Sequence, residues 1–358
     1  MPSLHSKLPS LYHTLFPELA SLEAPTESFA TCENCVLCQK PDSPFLDTKC
    51  CTYYPQLPNY FIGGILSDSR PELQEGKQRL RALIQAGHGV TPTGLVTPLR
   101  YDLLNTAIRT DKSPAKGNEW TKAEVDTLRC PFYDQGACTV WDYREHGCST
   151  SFCKSVGGET GTAFWNSLSV YLTDIEDALA RYVLVFMNFP ADTISAERLS
   201  TQNLGLDSAV GEVNAVEYKR LWGSWAGKEE VFYVKAFELV RDLDQTQLSG
   251  LLGVKGAVRW QQLLARQQQF LTPEIPDWLV LSDEVTIEKL AIGEVELKTT
   301  QGTFVVPGLV YHFLTKLDTK YTVDAVDQTL NALGVEFKKE YLTILFHLKI
   351  LRPGQTIK

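Results

Sequence analysis

Apolar residues recur at helical spacing through the middle of the chain. One continuous stripe in the segment 162–187 is formed by Phe164, Leu168, Tyr171, Leu172, Ile175, Leu179 and Tyr182. The segments 229–253 and 258–271 repeat this pattern, and the polar stretch 194–211 separates them from the first. Intervals of three and four residues place side chains on one face of an α-helix. The pattern therefore predicts a helical domain over residues 158–270.

Residues 1–157 are interrupted by proline and glycine, for example in the stretches 54–64 and 89–98. One amphipathic helix is predicted around Pro71–Ala86, where four apolar residues fall near helical spacing, namely Leu73, Leu80, Leu83 and Ile84. The rest of this region reads as loops. A loop-rich domain of this length needs a stabilising cross-link, such as a bound metal ion, to stay compact.

The pattern changes again in residues 271–358. Two strands are predicted at 294–300 and 302–307, joined by a turn at Gln301–Gly302, and three helical stretches follow at 308–317, 322–333 and 338–351. Thr322 is a suitable helix start and Gly334 a suitable stop. A β-ribbon with three small helices predicts a winged-helix-like module. The whole chain is thus predicted to be α+β, mainly α, with domains at 1–157, 158–270 and 271–358.

Composition and charge narrow the function classes. The 358-residue chain has a net charge of −9 and a pI near 5.3, which disfavours nonspecific binding of nucleic acid. Its longest apolar run, Tyr182–Phe189, is far shorter than the roughly 20 residues that span a bilayer. The N-terminus lacks the features of a signal peptide. We therefore expect a cytoplasmic protein without a membrane segment, in a compartment where structural disulfides are rare.

Nine cysteines fall into two clusters, five in residues 32–51 and four in residues 130–153. An odd number leaves one cysteine over in a disulfide-only interpretation. Two cysteines separated by two residues, such as Cys32 and Cys35, can face one metal ion across a turn. The second cluster has wider gaps, and Cys130 and Cys138 flank a predicted turn at Gln135–Gly136. Metal binding is the favoured interpretation, and disulfides or free thiols are the alternative.

The order of these motifs resembles the zinc- or iron-chelating, YkgJ-like cysteine-cluster family. The matching residues are Cys32, Cys35, Cys50, Cys51, Cys130, Pro131, Phe132, Gly136, Cys138, Trp141, Arg144 and Cys148, with Cys153 as an extension. The chain departs from that pattern by an insert at residues 39–49 and by Glu145 where the family has proline after the arginine. The resemblance implies a bound metal ion or Fe–S cluster. Some relatives, the flagellin lysine methylases, combine such cysteines with S-adenosylmethionine.

Setting aside Cys38, which has no counterpart in the family, leaves eight predicted metal ligands. They are Cys32, Cys35, Cys50, Cys51, Cys130, Cys138, Cys148 and Cys153. Eight thiols are enough for two sites of four. An Fe–S cluster is the preferred cofactor and Zn²⁺ the alternative, because zinc knuckles come in paired Cys-x2-Cys units and only one half of the sequence has such a unit.

Nearby polar residues have a structural and a functional interpretation. Arg144 is expected either to offset thiolate charge or to form an ordinary surface salt bridge. His146 is interpreted as a surface loop histidine rather than a metal ligand. Glu176, with Asp174 and Asp177, is interpreted as part of the solvated face of its helix.

The C-terminal pattern is similar to the PqqD-like peptide-recognition domains, which share a winged-helix layout. This similarity implies a protein or peptide partner. Binding of DNA by this module is disfavoured because the segment 335–349 has few basic residues.

The sequence leaves two hypotheses for the function of the whole chain. Either the chain is a metalloprotein that modifies or recognises a peptide, with its status as an enzyme open, or it is a noncatalytic adaptor or regulator with structural zinc.

Overall fold

A computed structural model describes most of the chain. The described residues are 3–25, 27, 51–110, 126–152, 157–195, 204–271, 276, 278–289, 293–299, 302–315, 317, 322–332, 342, 345, 346 and 349–354. Within them the protein is mainly helical with small antiparallel sheets, which confirms the predicted α+β, mainly α class. No helix in these ranges is long and apolar enough to cross a membrane.

Thirteen α-helices lie in the described residues. They are α1 Ser10–Leu15, α2 Pro17–Ser21, α3 Asn59–Ser67, α4 Gln74–Ala86, α5 Leu99–Thr110, α6 His146–Thr150, α7 Gly158–Phe186, α8 Ala191–Ser195, α9 Ala215–Trp222, α10 Glu229–Arg241, α11 Gln245–Leu271, α12 Gly308–Leu314 and α13 Val323–Ala332. The strands are β1 Val90–Thr91, β2 Gly94–Leu95, β3 Tyr133–Asp134, β4 Ala137–Cys138, β5 Leu279–Leu281, β6 Thr286–Lys289, β7 Glu294–Thr299, β8 Gly302–Pro307 and β9 Leu351–Pro353.

The predicted stripe of α7 lies in the centre of the larger hydrophobic core. Its residues from Phe164 to Leu179 are buried, and Tyr182 packs at the margin. Helices α11 and α6 pack against α7, while α10 packs mainly against α3. This core contains side chains from Leu4 to Leu263. The predicted helices at 71–86, 162–187 and 258–271 are confirmed. The predicted segment 229–253 is divided between α10 and the start of α11, and α11 is kinked at Gly253, where φ is 54°.

Helix α3 was not predicted from the sequence, because the stretch 54–64 contains two prolines and a glycine pair. The structure corrects the expectation of a loop here. A side chain at Gly63 would place its Cβ 1.8 Å from the carbonyl oxygen of Tyr233 in α10, so only glycine permits this approach. Helices α1, α2, α5 and α6 also lie in the region predicted to be loops. Here the glycine pair marks close helix packing rather than a chain break.

The C-terminal residues form a second, smaller core. Strands β6, β7 and β8 make an antiparallel meander, and β7 and β8 pair from Glu294 opposite Pro307 to Thr299 opposite Gly302, as the predicted hairpin requires. The Thr322 hydroxyl accepts the Ala325 N–H at 3.2 Å, which confirms the predicted start of α13. The winged-helix arrangement and the three domain boundaries stay predictions, and Gly334 lies outside the described residues.

Candidate metal centre

Four of the eight predicted ligands are described. Cys51, Cys130, Cys138 and Cys148 are partly buried and form no disulfide with one another, and we call them the thiol cluster. The other predicted ligands lie outside the described residues, and so does the excluded cysteine; these are Cys32, Cys35, Cys50, Cys153 and Cys38. The members of the thiol cluster come from separate places in the fold, so tertiary structure decides how close they lie.

Backbone hydrogen bonds place the first two members side by side. The N–H of Cys130 donates to the carbonyl oxygen of Cys51 at 2.8 Å. The Tyr101 hydroxyl on α5 lies 2.7 Å from the carbonyl oxygen of Thr52 and 3.1 Å from that of Leu128. Helix α5 therefore links the segment that carries Cys51 to the segment that carries Cys130, although these segments are distant in sequence.

A tight hairpin positions Cys138. Strands β3 and β4 pair around Gln135 and Gly136, whose φ angles are 40° and 91°. Positive φ at both central residues is typical of a type I′ turn, so the turn predicted at these residues is confirmed. Arg79 on α4 donates to the carbonyl oxygen of Tyr133 at 2.7 Å, which fixes the hairpin against the helical core.

The surroundings of the thiol cluster act on its protonation in two opposing ways. The pKa of Cys130 is raised to about 12, mainly by burial and to a smaller extent by the charges of Cys51 and Cys138. Backbone hydrogen bonds from Phe132 and Tyr133 lower the pKa of Cys130 because they favour the thiolate. Burial also raises the pKa of Cys138, against the opposing effect of a backbone hydrogen bond from Val140. Both sulfurs thus have N–H donors beside them, while burial favours the protonated thiol.

Mutual electrostatic effects show that the thiols share one environment. Burial raises the pKa of Cys51 most, and the charge of Cys138 raises it as well. The charges of Cys130 and Cys138 are the smaller causes that raise the pKa of Cys148. Within the described part of the chain, no three of the four sulfur atoms lie within 4.8 Å of one another. The donor chemistry fits a thiolate-bound metal or cluster, but these four sulfurs would have to move closer to bind one ion together.

Arg144 lies beside the thiol cluster, as one of its two predicted roles requires. The charges of Cys138 and Cys148 act on its pKa, after the larger, lowering effect of burial. Its guanidinium lies 3.4 Å from the ring centroid of Trp141, and its Nε donates to the carbonyl oxygen of that residue at 2.8 Å. The cation can therefore offset thiolate charge at two members of the cluster.

A second group of polar side chains was misread from the sequence. Glu145 and Glu176 are both 0% exposed, and the side chain of His146 is 17% exposed. The Nδ1 atom of His146 lies 2.9 Å from Oε2 of Glu176 and 3.0 Å from Oε2 of Glu145. We call these three residues the carboxylate–imidazole cluster. The interpretations of His146 as a surface residue and of Glu176 as solvated are wrong, because α6 packs on α7.

The electrostatics of the carboxylate–imidazole cluster follow from this pairing. Burial lowers the pKa of His146, but hydrogen bonds to Glu145 and Glu176 outweigh it and raise the pKa to about 10. Burial raises the pKa of Glu145, but its interactions with His146 outweigh this effect and leave the pKa low. Glu145 also accepts the N–H groups of Gly147 and Cys148, at 2.6 and 2.9 Å, and so caps α6.

The two clusters meet at Cys148. Burial raises the pKa of this thiol most, followed by the charge of Glu145 and a hydrogen bond to its carboxylate. The sequence signal for this arrangement was the run Glu145-His146-Gly147-Cys148, which places a capping carboxylate three residues before a candidate ligand. Nothing in the sequence indicated that Glu176, thirty residues away, completes it.

A cavity of about 690 Å³ lies away from both clusters. It is lined by residues of α4, α9 and α10 and contains none of the predicted ligands.

The chain was also compared with protein-family models, curated proteins and solved structures. None of the three comparisons finds a match.

Proposed function

We propose that the protein is a metalloprotein that binds an Fe–S cluster, or alternatively Zn²⁺, through its two groups of cysteines. The observation that supports the proposal is the approach of Cys51, Cys130, Cys138 and Cys148 from separate segments. A backbone hydrogen bond of 2.8 Å joins Cys130 to Cys51, and the charges of Cys130 and Cys138 act on Cys148. The ligands from outside the described residues would be Cys32, Cys35, Cys50 and Cys153.

The thiol environment supports a cation at this place. Burial and mutual repulsion raise the thiol pKa values, while N–H groups already point at the sulfurs of Cys130 and Cys138. A bound metal supplies the missing positive charge and displaces the thiol protons. When bound, zinc would act structurally, whereas an Fe–S centre would add redox chemistry or substrate ligation.

The module that follows residue 271 is proposed to recognise a peptide or protein. Its β7–β8 hairpin leads directly into α12, and Val305 and Leu309 expose apolar surface at this junction. A cytoplasmic location belongs to the same proposal, since thiolate ligands survive in a reducing compartment. The second candidate function is a noncatalytic adaptor or regulator in which zinc is purely structural.

Anaerobic purification with metal analysis and visible spectroscopy tests the proposal. A brown protein that contains iron and acid-labile sulfide supports the Fe–S form, and a colourless protein with stoichiometric zinc supports the adaptor. A protein without bound metal would contradict both. Cys51→Ser is expected to lose the metal, whereas the matched control Cys38→Ser is expected to keep it. Metal loss in Cys38→Ser would disprove the set of eight ligands.

A further inference from the structure

The carboxylate–imidazole cluster has the geometry of a metal site with harder ligands than sulfur. One oxygen of Glu145, one oxygen of Glu176 and Nδ1 of His146 all lie within 4.8 Å of one another. The two nitrogen–oxygen distances are 2.9 and 3.0 Å. Nitrogen and oxygen ligands lie about 2.0–2.2 Å from a metal ion, so two of them at right angles are separated by about 3 Å. The observed distances match that separation.

Backbone N–H groups orient the two carboxylates by hydrogen bonds to their other oxygens. The backbone N–H of His146 donates to Oε1 of Glu176 at 2.7 Å, which leaves Oε2 of Glu176 facing the imidazole. The N–H of Cys148 donates to Oε1 of Glu145 at 2.9 Å. Hydrogen bonds of this kind fix the orientation of ligating carboxylates in metal sites. The three donors come from α7 and from the start of α6, so two packed helices determine their spacing.

Two carboxylates and one imidazole are also a donor set that suits a divalent ion. Glu145 and Glu176 are both 0% exposed, and one oxygen of each faces the same imidazole nitrogen. The side chain of His146 is 17% exposed.

We propose that Glu145, His146 and Glu176 bind a divalent first-row ion such as Mn²⁺ or Fe²⁺, at a site chemically distinct from the thiol cluster. Carboxylate and water ligands suit such ions, whereas thiolates select zinc, copper(I) and Fe–S clusters. Three protein donors leave further coordination positions for water or a substrate oxygen. This inference does not depend on metal binding by the cysteines.

Mn²⁺ is the probe, because it prefers oxygen ligands to thiolates. The full-length protein as purified is titrated with Mn²⁺, and the electron paramagnetic resonance signal of the free ion is measured. One Mn²⁺ per chain is expected to bind. Glu176→Gln, which keeps the volume but removes the charge, is expected to weaken binding at least about 10-fold. The control Asp177→Asn changes the neighbouring residue, which pairs with Arg181 on the surface, and should bind normally.

Two results would overturn the proposal: less than one bound Mn²⁺ per wild-type chain, or equal affinity in wild type and Glu176→Gln. If Glu176→Gln loses its helical circular dichroism, Glu176→Asp replaces it, since it keeps the charge and only withdraws the donor oxygen. Equal affinity in that folded variant contradicts the proposal in the same way. Repeating the titration with Cys51→Ser separates the two sites, because Mn²⁺ binding there should persist when the thiolate-bound metal is lost.

Discussion

The carboxylate–imidazole cluster and the thiol cluster meet at Cys148 but differ in how completely the polypeptide builds them. In the first, both carboxylates are fully buried and accept hydrogen bonds from backbone and imidazole donors. In the second, the thiols have raised pKa values, and no three of the described sulfurs lie within 4.8 Å. Helix packing and hydrogen bonds order the first cluster, whereas the four described sulfurs of the second are not gathered around one point.

The largest effect is expected from removing one partner of the ordered cluster. Glu176→Ala breaks the buried ion pair with His146 and removes the acceptor of the His146 backbone N–H. Breaking a buried ion pair destabilises proteins by about 3–5 kcal/mol. Urea denaturation measures this loss of unfolding free energy. Asp177→Ala is the matched control, and it should change the value by less than about 1 kcal/mol because its ion pair with Arg181 is partly exposed to solvent. An equal loss of unfolding free energy in both variants would show that the carboxylate–imidazole cluster contributes no more to stability than a partly exposed ion pair.

The next effect concerns the incomplete cluster. A metal bound at one hundredfold above its dissociation constant stabilises the folded state by about 2.7 kcal/mol. We therefore expect a strong chelator to lower the unfolding free energy of the wild type by about this amount or more. Cys130→Ser should be destabilised already and should respond little to the chelator. If the chelator leaves the unfolding free energy of the wild type unchanged, no bound metal stabilises the thiol cluster, and the expected contrast with the carboxylate–imidazole cluster is wrong.

A third prediction tests the support of the segment between Cys138 and Cys148. Asp68 accepts hydrogen bonds from Arg70 and from the Tyr143 hydroxyl, the latter at 2.9 Å, and the hydrogen bond from Arg70 is the main reason that its pKa falls to about 2. Because the folded-state pKa is lowered, its contribution is present above the ordinary value near 4 and is lost as pH falls towards 2. Asp68→Asn should lose about 1 kcal/mol at pH 7.

The pH dependence supplies the control for that variant. Between about pH 5 and pH 2, the stability difference between wild type and Asp68→Asn should shrink, as measured by denaturation at each pH. A difference that stays constant over this range would show that Asp68 acts through packing and not through its charge.

The smallest effect is expected at the rim of the thiol cluster. Trp141 is 56% exposed and stacks on Arg144. Trp141→Ala should lower the unfolding free energy by only about 0.5–1 kcal/mol, the usual value of an exposed cation–π pair. Trp141→Phe keeps an aromatic face and should retain part of this contribution. A loss above about 3 kcal/mol would mean that the stack helps to order the cysteines.

Local patterns were sufficient for much of the fold. The apolar stripe from Phe164 to Leu179 predicted α7, and the turn at Gln135–Gly136 predicted the β3–β4 hairpin. Helix α3 was not predicted because Gly63 permits its close contact with α10. A single sequence does not distinguish a glycine that allows close helix packing from a glycine that ends a helix. Half of the predicted cysteine ligands lie in the described residues, so the full ligand set stays a prediction.

The sequence by itself determined the helical periods, the tight turns and the supply of thiols, because each depends on residues only a few positions apart. Tertiary structure alone decided that Cys51 lies beside Cys130 and that Glu176 pairs with His146. In a sequence, a carboxylate on the polar face of a helix is interpreted as exposed to solvent, because the pattern does not show which element covers that face. Once α6 packs on α7, burial makes the pairing of Glu176 with His146 necessary, and a local pattern of polar and apolar residues does not encode that contact.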